Sequence, residues 1–314
     1  MSTVRTSSSA LRRPISVRLL ANPTIAHRIL GAATALTLLA NPTDTFFLPD
    51  TQGPRPTCGP VAQWTLFCIL DSNLELARWL LVIFCIPLVL GILMPLAGIL
   101  HLYAAFALSL STLGVEGGDQ LCVNVGILLT VYHVLLSAQR YFKSSDTNQA
   151  LSQFKLVILA CVTLQLAFVY FESGVGKMSQ QQWQEGTALW YWFQNSAYTG
   201  PSVLSDFALI LLGFPILSGI ISWGTIVFQL CLSLAIFASR NTGVRKFFLI
   251  SGVLFHIAIW IIFGLPSFGL VMTSCLLLVL GGENFLCKLG DKWIEIISNS
   301  WEKMTTLKDK ERLK

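Results

Sequence analysis

The chain alternates long apolar runs with short polar segments over most of its length. A helix needs about 20 residues to cross the hydrocarbon core of a bilayer, and fewer where the bilayer thins locally. Six runs are clear: 76–94, 96–113, 121–138, 156–172, 220–238 and 247–265. Two runs are weaker: 25–40, which is short, and 266–281, which begins at a proline. The pattern predicts an all-α, polytopic transmembrane helical bundle with about eight spans.

One further segment, 203–218, is too short to be counted as a span. Only the 11 residues from Phe207 to Leu217 are free of charge, and Gly213 and Pro215 interrupt them. As a helix those residues would measure about 16 Å, roughly half of the hydrocarbon core. We therefore predict a short re-entrant or interfacial helix here.

The distribution of basic residues predicts the orientation of the spans, because short cytoplasmic loops carry an excess of Lys and Arg. With eight spans, 18 of the 21 basic residues fall inside, and Arg55, Arg78 and Lys177 fall outside. A ninth span at 203–218 would leave eight inside and 13 outside. We expect a plasma-membrane protein with both termini in the cytoplasm. Its outer face would be formed by 41–75, 114–120, 173–219 and the 264–266 turn.

These spans divide the chain into three regions. We expect a basic cytoplasmic N-terminus at 1–24, the transmembrane domain at 25–282 and a basic cytoplasmic tail at 283–314. A cleaved secretory signal is the alternative for the N-terminus, but Leu38 would occupy its small-residue cleavage position. The tail has apolar residues at helical spacing, which favours a helix on the membrane surface over a solvated tail. These residues are Trp293, Ile294, Ile297 and Trp301.

Composition agrees with this interpretation and excludes one class of partner. Hydrophobic residues make up 54% of the chain and charged residues only 12%, too few to cover a soluble protein of this size. Lipid is therefore the expected solvent. The net charge of +5 comes from short loops and tails rather than from one folded face, so we expect no nucleic-acid partner.

Ionisable residues in or near a membrane are costly and therefore candidates for function. Asp119 follows two glycines at the outer end of a span, Lys177 closes another span, and His256 lies in the middle of a third. We predict that these three residues converge on one cavity open to the outer face. Gly174 and Gly176 would let the chain leave its helix next to Lys177. Glu172 is a weaker candidate because it points elsewhere on the helix.

Each of these residues also has a purely structural interpretation. Burial disfavours the charged form of lysine, so a desolvated Lys177 would be able to act as a base. Alternatively, its ammonium group reaches up to the headgroups.

His256 would alternatively be held by a hydrogen bond within the bundle. His101 and His133 share a depth and so offer a pair of haem or metal ligands, but no second pair supports such a site, and we predict no metal.

Two cysteines lie in the first outer segment. Cys58 and Cys68 lie outside the apolar runs, in a loop expected to face an oxidising environment. Their position predicts a disulfide between them. Two separate thiols are the alternative. Sequence motifs of soluble enzymes are missing: there is no phosphate-binding loop, no HExxH and no GxSxG.

Two sequence stretches resemble a known family. The stretch Tyr170–Met178 (YFESGVGKM) with Trp183–Ala188 (WQEGTA) resembles the first signature of the vitamin K-dependent carboxylase-like, or HTTM, membrane domain. The stretch around His256, with Phe263–Phe268 (FGLPSF), resembles the second. In that family the lysine, here Lys177, is the proposed base. The cysteines of the first outer segment and the Gly117-Gly118-Asp119 sequence make the chain most similar to the sporulation-delaying-protein B type.

That resemblance implies a factor for the maturation or export of a secreted peptide toxin, acting with a small partner protein encoded nearby. The carboxylase has a large extracytoplasmic domain after its spans, whereas only 32 residues follow position 282 here, so carboxylation with a vitamin K cofactor is not implied. The sequence identifies no cofactor. A non-catalytic immunity or transport protein is the alternative, and it would tolerate replacement of Lys177 and His256.

Overall fold

The computed structural model describes residues 23–50, 53–112, 117–142, 144–194, 202–238 and 243–281. The predicted basic N-terminus, except its last two residues, and the tail with its expected surface helix lie outside the described residues.

The described residues are almost entirely helical. In chain order the helices are α1 (Pro23–Ala40), α2 (Thr43–Phe46), α3 (Leu66–Ile69), α4 (Leu74–Leu90), α5 (Met94–Ser111), α6 (Gly117–Tyr141), α7 (Ser145–Met178), α8 (Gln181–Gln184), α9 (Ala188–Gln194), α10 (Ser202–Leu212), α11 (Pro215–Ala235), α12 (Gly243–Phe263) and α13 (Pro266–Leu280). A 3-10 turn forms at Ala62–Trp64. The strands β1 (Leu48–Asp50) and β2 (Gly53–Arg55) pair antiparallel as a small hairpin. Within the described ranges, eight helices have 15 residues or more, in the eight regions predicted to span the membrane.

Five of these helices, α5, α6, α7, α11 and α12, are long and apolar enough to cross a membrane. The other three, α1, α4 and α13, have 18, 17 and 15 residues and pack among them. Helices α7 and α12 expose apolar side chains such as Phe168 and Leu254, as expected for helices that face lipid. The fold is the predicted all-α transmembrane bundle.

Prolines and one capping residue mark where helices begin. Pro95, Pro215 and Pro266 lie in the first turns of α5, α11 and α13, where a missing N–H removes no helical hydrogen bond. The side chain of Asn73 accepts a hydrogen bond from the Leu76 amide at the start of α4. Gly91 ends α4 with a φ of +76°, a conformation that glycine adopts without steric cost.

Helix α1 lies at the centre of the bundle, in contact with α4, α5, α6 and α13. The hydroxyl of Ser274 on α13 donates a hydrogen bond to the Ala26 carbonyl on α1, a buried contact between two helices far apart in sequence. Helix α7 contacts α6, α11 and α13, and α12 contacts α11 and α13. The bundle therefore has two sides, one built around α1, α5 and α6 and the other around α7, α11 and α12.

The segment 203–218 forms two pieces. Helix α10 has 11 residues and ends at Leu212, and α11 begins at Pro215. The short helix is thus confirmed as too short to span, but it occupies only the first part of the predicted segment. The second part extends the following span, because Pro215 is suited to open a helix.

The predicted exit of the chain from its helix near Gly174 and Gly176 is wrong, because α7 continues to Met178. Gly174 instead lets α11 come close: a Cβ atom there would lie 2.7 Å from Leu230 Cδ2. Gly176 has nothing within 4 Å. One glycine therefore serves helix packing, and the other stands at an open position within the helix.

Candidate functional site

The sequence Tyr170–Met178 forms the last turns of α7, and its residues divide between two faces of that helix. Tyr170, Ser173, Gly174 and Lys177 are buried or half-buried, with the three- and four-residue spacing of one helical face. Phe171, Glu172, Val175, Gly176 and Met178 are exposed. We call the first set the α7 polar face. It points toward α11 and α12, which carry its partners.

Lys177 is half-buried at the end of the α7 polar face. Its Nζ donates to Ser173 Oγ at 2.7 Å and to the Ser173 carbonyl at 3.2 Å. Ser173 in turn donates to Gln229 Oε1 on α11 at 3.2 Å. Among the described residues, no carboxylate forms a salt bridge with Lys177. The ammonium group is therefore held by neutral oxygens.

Trp183 covers this lysine from the segment 179–187, which follows α7. Its ring lies 5.3 Å from Lys177 Nζ, within range of a cation–π interaction. The segment is fixed to α11, because Ser218 and Ser222 both donate hydrogen bonds to the Gly186 carbonyl. Gly186 has a φ of +74°, and a Cβ atom there would lie 2.7 Å from the Gly219 Cα. Glycine at this position thus allows the segment to lie directly on α11 and to place Trp183.

His256 of α12 meets the same face two turns deeper than Lys177. Its Nε2 is 2.7 Å from the Tyr170 hydroxyl, and both side chains are 1% exposed. Phe255 and Phe268 enclose the imidazole, with ring centroids 5.2 and 5.4 Å away. His256 Nδ1 has no hydrogen-bond partner among the described residues. The histidine is therefore buried among aromatic rings, and the water-filled cleft expected beside it is not formed by the described residues.

Asp119 lies in a different environment, in the first turn of α6. It lines a cavity of about 380 Å³ together with Thr37, Asn41, Thr112 and Ser267. We call this the outer cavity, after the face on which the sequence predicts it to lie. Hydroxyl, amide and carboxylate groups form much of its wall, and the 264–266 turn closes one side. Such a wall can accept hydrogen bonds from an amine or a peptide N–H.

The three predicted site residues do not meet. Neither Lys177 nor His256 lines the outer cavity beside Asp119. Lys177 and Tyr170, the partner of His256, are seven residues apart on α7, about 10 Å along the helix axis. The expected common cavity is therefore wrong for the described residues. The roles of Lys177, His256 and Asp119 remain predictions.

The other three histidines of the chain form a cluster that the sequence predicts only in part. The sequence predicts that His101 and His133 share a depth, but His27 of α1 lies between them, with ring centroids 5.7 Å from His101 and 5.2 Å from His133. All three are buried. The sequence does show that Thr24, His27 and Thr34 have the spacing of one helical face, which places polar side chains along one side of α1. The described residues contain no group of three or more His, Cys, Asp or Glu arranged to hold a metal ion.

The segment 41–75, predicted to lie on the outer face, is closed by a disulfide between Cys58 and Cys68, whose Cα atoms are 5.8 Å apart. The segment is attached to the end of α5. The Thr57 amide donates to the Ser111 carbonyl at 3.1 Å, and the Thr65 and Ser111 hydroxyls are 2.7 Å apart. Its position therefore depends on the side of the bundle that holds α1 and α5.

Comparison with known proteins places these features in a family. The chain is 28% identical to the sporulation-delaying protein SdpB of Bacillus subtilis (strain 168) over 262 residues, covering 80% of this chain and 78% of that protein. It is also 28% identical to the uncharacterized protein YitO of the same organism over 273 residues, covering 82% of this chain and 84% of that protein. No solved structure matches the chain.

The HTTM domain model matches residues 121–282, just over half of the chain. The matched region contains Lys177 and His256, whereas Asp119, His27 and His101 precede it. The resemblance inferred from the two sequence signatures is thus confirmed, and the chain belongs to the HTTM domain family, as a multi-pass membrane protein of the SdpB-like type.

Proposed function

We propose that this protein is a membrane factor that matures a secreted peptide toxin, or enables its export, with Lys177 as the reactive group at the outer face. The observation that carries the proposal is the α7 polar face, which holds Lys177 at the end of a transmembrane helix, with no carboxylate partner among the described residues. The similarity to SdpB over most of the chain supports a role connected with a sporulation-delaying product.

Lys177 has the surroundings that a general base needs. A neighbouring carboxylate stabilises the charged form of a buried lysine. Among the described residues, no carboxylate forms a salt bridge with Lys177. Ser173 fixes the direction of the amine through two contacts on one residue. A neutral Lys177 can then accept a proton from a peptide substrate that approaches from the open end of the helix.

His256 is a positioning residue in this proposal. Its hydrogen bond to Tyr170 ties α12 to α7 two turns below Lys177. Because His256 is enclosed by Phe255 and Phe268, it acts on Lys177 through the position of the helix rather than by direct proton transfer. Replacing it would shift the α7 polar face relative to α11.

Asp119 supplies the peptide-binding part of the proposal. The outer cavity has the volume and the oxygen-rich wall to receive a basic or N-terminal group of a peptide. A peptide held there would extend across the outer ends of the helices toward Lys177. The partners of the protein are then the lipid bilayer, the secreted peptide and a small partner protein encoded nearby.

The proposal requires the C-terminal end of α7 to face the outside of the cell, with both termini of the chain in the cytoplasm. A cysteine at Gln180 should react with a membrane-impermeant maleimide added to intact cells. A cysteine at Asp146, exposed at the other end of the same helix, should be protected until the membrane is permeabilised. The opposite labelling would invert the topology and place Lys177 inside.

The function is tested by comparing the peptides that the native host secretes with the wild-type chain and with Lys177→Ala. Mass spectrometry should find a mature peptide that is lost in the variant, while the amount of protein in the membrane is unchanged. Lys155→Ala is the matched control, since Lys155 lies on the same helix and contacts Gln139 and the Tyr132 ring. It should secrete the peptide normally.

An immunity or transport protein would give a different result. For an immunity protein, the secreted peptides would be the same with and without the intact chain, and cells lacking the chain would be killed by the toxin of their neighbours. For a non-catalytic transport protein, the peptide would be missing from the medium without the chain, but Lys177→Ala would still secrete it. Retention of the mature peptide in both Lys177→Ala and His256→Ala would reject the proposed processing role.

A further inference from the structure

The three clustered histidines lie between two cavities at opposite ends of α1. At one end, Thr24 and His133 line a cavity of about 410 Å³ near the α4–α5 turn, with Arg140 also on its wall. We call this the inner cavity. At the other end, Thr37 and Asn41 line the outer cavity. Thr24 and Asn41 are 17 residues apart, about 26 Å along a helix, close to the thickness of the hydrocarbon core of about 30 Å.

Hydrogen bonds connect the inner cavity to the middle of the bundle. The Thr24 hydroxyl is 3.2 Å from His133 Nε2. His133 Nδ1 is 2.7 Å from the Leu129 carbonyl and 3.3 Å from His27 Nδ1. Beyond His27, His101 Nε2 is 2.9 Å from Thr34 Oγ1, which lies 3.3 Å from the Leu30 carbonyl. The polar side chains thus follow one another along α1.

The positions of the ring protons follow from these contacts. A carbonyl oxygen only accepts, so we assign the proton of neutral His133 to Nδ1, where it faces the Leu129 carbonyl. His27 Nδ1 is then the acceptor of the pair, and the proton of His27 lies on Nε2. In the same way Thr34 donates to the Leu30 carbonyl, so His101 carries its proton on Nε2 and has a lone pair on Nδ1.

Two ring nitrogens remain to be paired, and they are complementary. His27 Nε2 and His101 Nδ1 are the buried nitrogens of this cluster with no hydrogen-bond partner among the described residues. One is a donor and the other an acceptor in the assignment above. Their rings are 5.7 Å apart between centroids. In the proposal, one water molecule pairs the two nitrogens, as buried waters do for otherwise unpaired polar groups. The N–H groups of His27 and His101 then point away from the inner cavity, toward Thr34.

We propose that Thr24, His133, His27, His101 and Thr34 form a proton relay that joins the inner cavity to the outer cavity through the bundle. Chains of ionisable residues inside membrane proteins commonly carry protons, and imidazole can accept a proton on one nitrogen while releasing one from the other. This function is separate from the peptide processing proposed for Lys177.

The relay moves one proton without any transfer of electrons. A proton that enters at His133 Nε2 displaces the Nδ1 proton to His27 Nδ1. His27 releases its Nε2 proton to the bridging water, which passes one proton to His101 Nδ1. His101 releases its Nε2 proton to Thr34. The Thr34 hydroxyl then turns from the Leu30 carbonyl and passes its own proton toward the outer cavity, through Thr37 or through Cys122, whose Sγ is 3.5 Å away. Each ring ends in the other tautomer and must turn before it carries a second proton.

In the proposal, the proton reaches the outer cavity by one of two routes. Thr37 is one turn beyond Thr34 on α1 and lines that cavity. Cys122 Sγ is 3.8 Å from His101 Nε2, and Asp119 of the outer cavity lies one turn before Cys122 on α6. Both routes end at groups that water in the outer cavity can reach.

Few other titratable or charged groups face the relay from the neighbouring helices. Cys122 of α6 contacts His101, and the neighbouring helices α4 and α13 contain the buried thiols Cys85 and Cys275. Arg140 of α6 lies at the inner cavity. Among the described residues, no carboxylate lines that cavity. Neutral imidazoles next to thiols and hydroxyls are suited to pass protons without trapping one.

The proposal is tested with the purified full chain in phospholipid vesicles that contain a pH-sensitive dye. A potassium diffusion potential drives proton entry. Wild-type vesicles should acidify faster than protein-free vesicles, and His27→Phe and His101→Phe should acidify at the protein-free rate. Ser233→Ala is the matched control, because it removes a buried hydrogen bond to the Ala167 carbonyl on the other side of the bundle. It should behave as wild type.

A second measurement covers variants that fail to fold. In the wild-type chain labelled with ¹⁵N-histidine, NMR should place the proton of neutral His133 on Nδ1 and those of His27 and His101 on Nε2. Acidification at the protein-free rate in wild type, unchanged acidification in His27→Phe, or a His27 proton on Nδ1 would each overturn the relay.

Discussion

The two sides of the bundle bury polar residues in different ways. On the side of α5 and α6, 44% of the apolar span of each helix is buried, whereas the values for α7 and α12 are 22% and 17%. The histidine cluster is therefore surrounded by helices, and its members contact one another. Lys177 lies at the end of a helix that mostly faces lipid, and its contacts are with its own turn and Trp183.

This difference suggests that the two sides of the membrane domain have different functions. A residue that reacts with a large substrate must be reachable, and Lys177 is half-buried at a helix end. Residues that pass protons must instead be shielded and mutually close, as His27, His101 and His133 are. Histidines make different contacts on the two sides. His256 contacts one tyrosine, whereas His27, His101 and His133 lie next to one another.

The largest expected effect on stability is at the disulfide, which belongs to the α1 and α5 side. Replacing Cys58 and Cys68 by serine should lower the free energy of unfolding by about 2 to 3 kcal/mol, because the unfolded loop is no longer constrained. Thermal unfolding in detergent, with and without reductant, measures the change. Hydrogen exchange should increase near Ser111 and Thr65 and stay the same near Lys177. Equal increases in hydrogen exchange near all three residues would contradict the difference between the two sides.

A pair of glycines offers the next test. Gly98→Ala would bring a Cβ atom to 2.7 Å from Thr130 Oγ1 and 3.1 Å from His27 Cε1, so we expect a loss of about 1 to 3 kcal/mol in stability. Gly176→Ala meets nothing within 4 Å inside α7 and should gain up to about 1 kcal/mol from its helix propensity. Both are measured by thermal unfolding in the same detergent. A similar loss in both variants would mean that the two sides are packed alike.

Tyr170→Phe should have a smaller effect on stability. It removes the hydroxyl that His256 Nε2 contacts and leaves a buried nitrogen without a partner, at a cost of about 1 to 2 kcal/mol. We also expect weaker peptide maturation, because α12 no longer holds the α7 polar face in place. Phe171→Leu, an exposed change at the next position, is the control for both measurements. Equal maturation in the two variants would remove the positioning role of His256.

The sequence predicted the long helices well because apolar length is a direct consequence of bilayer thickness. It placed Pro266 at the start of α13 and treated 203–218 as too short to span. It was wrong about Gly174, since a glycine that loosens a helix and one that admits a neighbouring helix look the same in one sequence. The packing of Leu230 decides between them.

The histidine cluster could not be predicted because it depends on which helices are neighbours. His101 and His133 share a depth, but the sequence does not show that α1 places His27 between them. The same reason explains the expected common cavity, since depth alone put Asp119, Lys177 and His256 together. Asp119 lies with α1 and α13 at the outer cavity, and His256 faces Tyr170 of α7.

The central claim is that Lys177 acts as a base, and Lys177→Arg tests it most directly. Arginine keeps a positive charge at any physiological pH, so it can replace a charge contact but cannot accept a proton. Mass spectrometry of the secreted peptides should find no mature peptide from cells that contain normal amounts of this variant in their membranes. Full secretion of the mature peptide by Lys177→Arg would contradict the base mechanism and leave only a charge contact.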